Sequence, residues 1–226
     1  MKTMQKGFTL VEIAIVLVII GLLLGGILKG QEMITQAKIK NVMADFSGIS
    51  AAYHGYQDRY RAIPGDDAGA TRWAGAAIST APQVSSNGVV EGTYNSGTAT
   101  DESRLWWTHL RLAGFVAGTG SQQPFNALTG QIGVQTGDGA NAGATAATML
   151  NLAGGNGFVG LIICSANLPD KIAIAVDTQM DDGASNTGSV RALIQTGPNP
   201  NIPAGQISTA AYAETGTNVY TACRSL

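Results

Sequence analysis

From Phe8 to Leu28 the chain holds a single ionisable residue, Glu12, and that run is the strongest limit on what it can become. As a helix rising 1.5 Å per residue, about 21 such positions span roughly 30 Å, the thickness of a bilayer core. The segment can therefore cross a membrane. Lys2 and Lys6 precede it, so the positive-inside rule keeps the first seven residues cytoplasmic and sends the bulk of the chain to the other side. Glu12 is the oddity. A charged side chain within a membrane span costs roughly 2.5–3.5 kcal/mol on insertion scales, and a chain that keeps one has a partner for it.

Three fates compete for this segment: a cleaved secretory signal, a permanent anchor, and a span processed ahead of its apolar run. The stretch "LLLGGILKG" offers a secretory peptidase no clean small-x-small site and no cysteine for lipid attachment. Gly7-Phe8-Thr9-Leu10-Val11-Glu12, behind a short basic leader and ahead of the apolar run, resembles the cleavage and methylation site of type IV prepilins. The resemblance implies a cut between Gly7 and Phe8 on the cytoplasmic face by a prepilin peptidase and N-methylation of Phe8. The apolar helix then stays in the mature protein. Cleavage creates an α-amino group on Phe8, mostly cationic at neutral pH, about one helical turn from Glu12. In the family this glutamate is taken to pair with the N-terminal amine of a neighbouring subunit, so that a pair buried in apolar surroundings fixes the register between helices. The proline that the family often carries two-thirds of the way along this segment is missing. Gly21, Gly25 and Gly26 stand there instead, and admit both local unwinding and close packing.

The resemblance also implies a fold: α+β, with a long N-terminal helix, half transmembrane and half amphipathic, packed on a C-terminal globular head with an antiparallel β-sheet. The expected divisions are a leader 1–7, a transmembrane and polymerisation half 8–28, an amphipathic half 29–61 and a head 62–226. The implied partners are further copies of the chain, other pilins, the peptidase, an inner-membrane assembly platform, and lipid before assembly. The implied route runs from a single-pass inner-membrane precursor to an extracellular pilus. The alternatives are a periplasmic pseudopilus of type II secretion and a membrane-anchored extracytoplasmic binding domain. Head size and the cysteine pair favour the pilus; adhesion and twitching motility follow only from the family.

Composition supports this direction by exclusion. Charged residues are 12% of the chain and the net charge is −2, which argues against a basic nucleic-acid surface. The segment "GDGANAG" lacks the lysine of a phosphate-binding loop, and no serine sits in a G-x-S-x-G elbow, so the reading is non-enzymatic. Cys164 and Cys223 are the only cysteines. On the extracytoplasmic side such a pair reads as a disulfide rather than a zinc site, which needs about four ligands; two free buried thiols are the alternative.

Beyond Lys29 the pattern becomes one-sided. Ile39, Val42, Phe46, Ile49, Tyr53, Tyr56, Tyr60 and Ile63 recur at spacings of three and four, predicting one helix from about Phe8 to about Arg61, stopped by Pro64. The stripe is expected to pack on the chain's own sheet, a homomeric coiled coil being the rival. Asp66 and Asp67 read as caps and turn ligands on "IPGDDAG". Ala74 to Thr100 reads as loop. A second helix is expected from about Glu102 to Ala113, capped by Asp101, ended by Gly114 and buried through Leu105, Trp106, Leu110 and Leu112, with His109 a surface or core residue rather than a ligand. Gly118 to Gly157 reads as surface loops and short strands. "FVGLIIC" predicts a central strand, and "GSVRALI" and "NVYTACRSL" predict strands; in "LPDKIAIAVDTQMDDG" Ile172, Ile174 and Val176 alternate as in a strand, yet Pro169 and Gly183 bracket a helix, the reading preferred of the two.

Asp177, Asp181 and Asp182 end that predicted helix, where negative charge opposes the dipole, so compensation is expected. A cation such as Arg191 or Lys171 is one source and a calcium ion the other, although the spacing lacks the far carboxylate of an EF-hand. No other cofactor or metal is expected.

Overall fold

The computed structural model describes residues 9–73, 86–137, 157–202 and 211–226. The chain divides into two units, Met1–Lys38 and Ile39–Leu226. Helix α1 (Leu10–Tyr60) is 51 residues long and continuous through Gly21, Gly25 and Gly26. Its limits fall within two residues of those the periodicity predicts.

In the first unit the helix has no covered face. Leu10, Val11, Leu17, Leu22, Leu28 and Met33 are all well exposed, and a Lys29–Glu32 ion pair of 2.7 Å marks where the purely apolar run ends.

The second unit starts where one side of the helix goes under cover. Ile39, Val42, Phe46, Ile49, Tyr53 and Tyr56 are buried, and they share one core with Trp106, Trp107, Leu110, Ile163 and Tyr220. Each such side chain contributes about 1.5–3 kcal/mol by leaving water. The stripe is therefore used up within its own chain and is not the seam of a homomeric coiled coil. At the C-terminal end Arg61 adopts φ 54°, its N–H still reaching Gln57 O at 2.8 Å, and Pro64 follows.

The other elements are α2 (Glu102–Leu112), β1 (Ile132–Thr136), β2 (Leu161–Pro169), α3 (Asp170–Met180), β3 (Val190–Ile194) and β4 (Val219–Ser225). Among the described residues the strands make one antiparallel sheet in the order β1-β2-β4-β3. The predicted central strand is central, though it starts at Leu161 and runs on to Pro169. Between Ser165 and Leu168 it bulges, and Asn167 at φ 57° absorbs the extra residue. Gly133 on β1 lies against the Tyr94 carbonyl, where any Cβ would collide with backbone.

Three expectations need correction. Every residue of β1 is buried, so the 118–157 region is not only a surface; residues 138–156 lie outside the described ones. Leu112 is 44% exposed and does not join the core face of α2. Asp101 occupies the cap position of α2 without a side-chain cap bond, and its carboxylate instead accepts from the Ser96 hydroxyl. The reason is a second layer. The irregular segments on either side of α2 fold over it and bury its polar face too: Glu102 accepts from Glu91 N–H, Ser103 donates to Thr93 O, and Arg104 donates to Ser121 O and Ser96 O.

Candidate functional site

Glu12 stands in the third residue of α1. Thr9 N–H and Thr9 Oγ each donate to Glu12 Oε2 at 2.8 Å, and Glu12 N–H donates back to Thr9 Oγ at 3.3 Å. This is a capping box, in which N-cap threonine and N3 glutamate satisfy each other's orphan donors at a helix start. The Thr-x-x-Glu signal is present in the sequence, and reasoning focused on the charge alone passes over it. The box gives the carboxylate a local role that costs no partner chain. It engages one oxygen, Oε2, and leaves Oε1 without a bond to any described residue. Gly7 and Phe8, the expected cleavage and methylation residues, lie outside the described residues.

By length and composition α1 is apolar enough to cross a membrane, and none of its apolar stretch is covered by the described residues. Apolar surface that is uncovered on every face needs lipid or other helices, not water.

The remaining candidates lie in the second unit. Asp67 caps the 3-10 turn Ala68–Arg72 by accepting from Gly69 N–H at 2.8 Å. It also accepts from Tyr56 Oη at 2.5 Å and from Arg72 at 2.7 Å, the guanidinium lying 4.6 Å over Tyr60 and 4.9 Å over Trp73. Burial pushes the Asp67 carboxyl up, but these bonds outweigh it and hold it below its ordinary value. Asp66 accepts from the N–H groups of Asn87 and Gly88. Both aspartates are turn ligands. His109 is fully buried; its Nδ1 accepts from Gly65 N–H at 2.9 Å while Nε2 has no partner among the described residues. Burial lowers its pKa to about 4, so it is neutral and carries its proton on Nε2.

Asp177, Asp181 and Asp182 bring one carboxylate oxygen each within 4.8 Å of one another. Asp177 is buried and accepts from Tyr212 Oη at 2.6 Å and Gly183 N–H at 3.0 Å; burial pushes it up to about 6. Asp181 accepts from Val190 N–H and Ser189 N–H, and Asp182 from Ala184 N–H and Thr187 Oγ. The expected compensation at the end of α3 thus comes chiefly from backbone donors of the loop into β3. Lys171 pairs with Glu214 at 3.6 Å instead, whereas the charge of Arg191, which lies 4.8 Å over Phe158, also favours the Asp182 carboxylate.

Cys164 on β2 and Cys223 on β4 face each other in register and are joined in a disulfide, tying the C-terminal strand to the centre of the sheet.

Compared with known proteins, residues 2–28 match the family model of the prokaryotic N-terminal methylation motif, the signature of type IV prepilin-like proteins. No curated protein and no solved structure matches the chain.

Proposed function

We propose that this chain, which carries a prepilin-type methylation motif ahead of an uncovered apolar helix, is the structural subunit of a type IV pilus-like filament. The observation that carries the reading is the coincidence of that motif with a helix whose membrane-depth carboxylate, Glu12, keeps one oxygen without a bond to any described residue. Prepilin peptidase cuts after Gly7, Phe8 is methylated, and the new amine of one subunit meets Glu12 of the next. Two unlike surfaces of one helix, repeated copy after copy with each copy displaced along the axis by the Phe8-to-Glu12 offset, give an open filament, because the axial displacement keeps a ring from closing. Before assembly the same apolar surface holds the precursor in the inner membrane as a single pass. The assembly platform then extracts it, alone or with other pilins, to the cell surface.

The test compares the membrane-bound pool with the filament fraction sheared from cells for wild type and Glu12→Leu. Losing one member of a buried pair costs about 3–5 kcal/mol, a shift of two to three powers of ten in docking. The variant is therefore expected in the membrane, cut after Gly7 and N-methylated by mass, and missing from filaments. Wild-type amounts of Glu12→Leu in filaments would overturn the reading. Filaments confined to the periplasm, with protein secretion lost, would move the chain to the pseudopilins.

A further inference from the structure

Asp45 has no hydrogen-bond or ion partner among the described residues, although it is half-buried. With Ala44 and Gly48 of α1 and Phe115, Val116 and Phe125 of the loop that follows α2, it lines an apolar groove of about 290 Å³. The floor is open: a Cβ at Gly48 would meet no atom within 4 Å, while Phe125 on the wall is 61% exposed. A carboxylate left unpaired at the edge of such a groove calls for an occupant bearing a cation.

The chain supplies one itself. Lys40 is exposed and likewise has no partner among the described residues. Five residues turn an α-helix by about 500°, which leaves Lys40 and Asp45 roughly 140° apart around the axis. Only residues three or four apart are neighbours on a helix surface, so the two do not meet within one copy. Across two parallel copies they do. Pairing Lys40 of one copy with Asp45 of the next offsets the helices by five residues in sequence register. Pairing the Phe8 amine with Glu12 offsets them by four. The difference is one residue, about 1.5 Å of rise, well within the sweep of a lysine stem.

We propose that the groove around Asp45 is a subunit interface that receives the stem helix of a second copy of this chain, with Lys40 of the incoming copy facing Asp45. The inference rests on the filament reading and adds to it a second charge pair, outside the membrane span, that selects the same stagger. Because acid and base lie on different sides of one helix, each copy offers Asp45 to one neighbour and Lys40 to the other. With the axial offset between copies, contacts of that kind propagate without closing.

The full-length chain is tested as Asp45→Lys, as Lys40→Glu and as the double exchange, scoring sheared filament against membrane pool, with Glu12→Leu alongside. Each single reversal is expected to lower the filament fraction about tenfold or more by placing like charges opposite each other, and the double exchange to bring it back within about twofold of wild type. A second measurement does not depend on tolerating the reversed charge. Asp45→Cys combined with Lys40→Cys in one chain, oxidised in whole cells, is expected to give a ladder of disulfide-linked multimers. Single reversals at wild-type filament levels, a double exchange as poor as the singles, no ladder, or a cross-linked band containing a different protein would each overturn the proposal. If Asp45→Lys assembles while Glu12→Leu does not, only the groove pairing falls. If Glu12→Leu assembles as well, the filament reading falls with it.

Discussion

Two stretches of one helix live in different solvents. Between Leu10 and Leu28 the large apolar side chains are 46% to 91% exposed, whereas the stripe from Ile39 to Tyr56 is exposed by 8% or less. Backbone geometry is the same in both; the distribution of polar residues around the axis is not. In the second stretch Lys38, Asp45, Ser47 and Gln57 leave one apolar side, and the chain folds that side into its own core. In the first stretch every side is apolar, so folding of a single copy covers none of it and only lipid or further copies will. On the filament reading, the difference separates what a subunit does for itself from what it leaves for its neighbours.

The sharpest way to break that contrast is to cut an equal-sized hole in each stretch. Phe46→Ala removes a side chain that is 1% exposed and is expected to cost the full chain about 3–5 kcal/mol of head stability. Leu23→Ala, at 60% exposure, is expected to change head stability by less than about 0.5 kcal/mol. Urea unfolding of full-length protein in detergent, followed by tryptophan fluorescence from Trp106 and Trp107, measures both. Equal losses would mean that the apolar stem supports the head after all.

Next in size is the bridge. Replacing Cys164 and Cys223 by alanine frees a connection closed over a sequence separation of 59 residues. The chain-entropy model puts its contribution on the order of 4 kcal/mol. Reduced and oxidised wild type should differ in the same transition by a comparable amount, while the proposed cleavage after Gly7 and membrane insertion are expected to be unaffected. Identical midpoints would show that the strand ladder alone holds β4.

How far these features can be seen without coordinates follows from the same contrast. A period of three and four is a signal only when one side is buried, and so the Ile39–Tyr56 stripe and the ends of α1 are legible. The strands β2, β3 and β4 are legible for a similar reason, being short apolar runs bracketed by glycine or proline, whereas α3 is only half legible, because Ile172, Ile174 and Val176 alternate like a strand inside helix-type brackets. β1 is hidden, because "IGVQT" carries a glycine and a glutamine whose partners, Tyr94 N–H for Gln135 among them, come from a segment without regular structure. The burial of Glu102, Arg104 and His109 is hidden for the same reason: loops cover them, and loops have no period. At the candidate site the carboxylate stands out by charge, and the threonine that caps with it does not.

The pH dependence of the head sharpens the contrast further, since two of its buried groups, His109 and Asp177, are shifted across the same acid range in opposite directions. His109 is held neutral by burial, with a pKa of about 4, so its contribution is complete above an unfolded value near 6.5 and is lost as pH falls toward 4. Asp177 is pushed up to about 6 by burial, so its contribution is complete below an unfolded value near 3.8 and is lost as pH rises through 6. Each spans a little over two pH units, worth about 3 kcal/mol. Together they flatten the wild-type stability profile between pH 4 and 6.5. Removing one should tilt it: His109→Gln should lose stability as pH rises over that range, and Asp177→Asn should gain it. Parallel profiles for the two variants would refute the assignment. The stretch from Leu10 to Leu28, with no buried ionisable group among its described residues, should contribute little slope in this window.

The smallest expected effect lies at the helix start and separates the two roles open to Glu12. Thr9→Ala removes the hydroxyl of the capping box but leaves the carboxylate, and loss of such a cap costs about 1 kcal/mol, confined to the first turn. Faster hydrogen exchange of the amides nearest Thr9 in full-length protein in detergent should report it, with head unfolding unchanged and Thr9→Ser restoring protection. If Glu12 acts by meeting the next subunit's amine, Thr9→Ala subunits still enter filaments at close to wild-type levels, because the charge that the neighbour needs remains. If its work is to start the helix, Thr9→Ala and Glu12→Leu fail together. The mass of the mature N-terminus must be checked in both variants, since Thr9 stands two residues from the expected cut. Equal assembly defects in correctly cleaved protein would reduce Glu12 to a cap and remove the pairing on which the stagger argument depends.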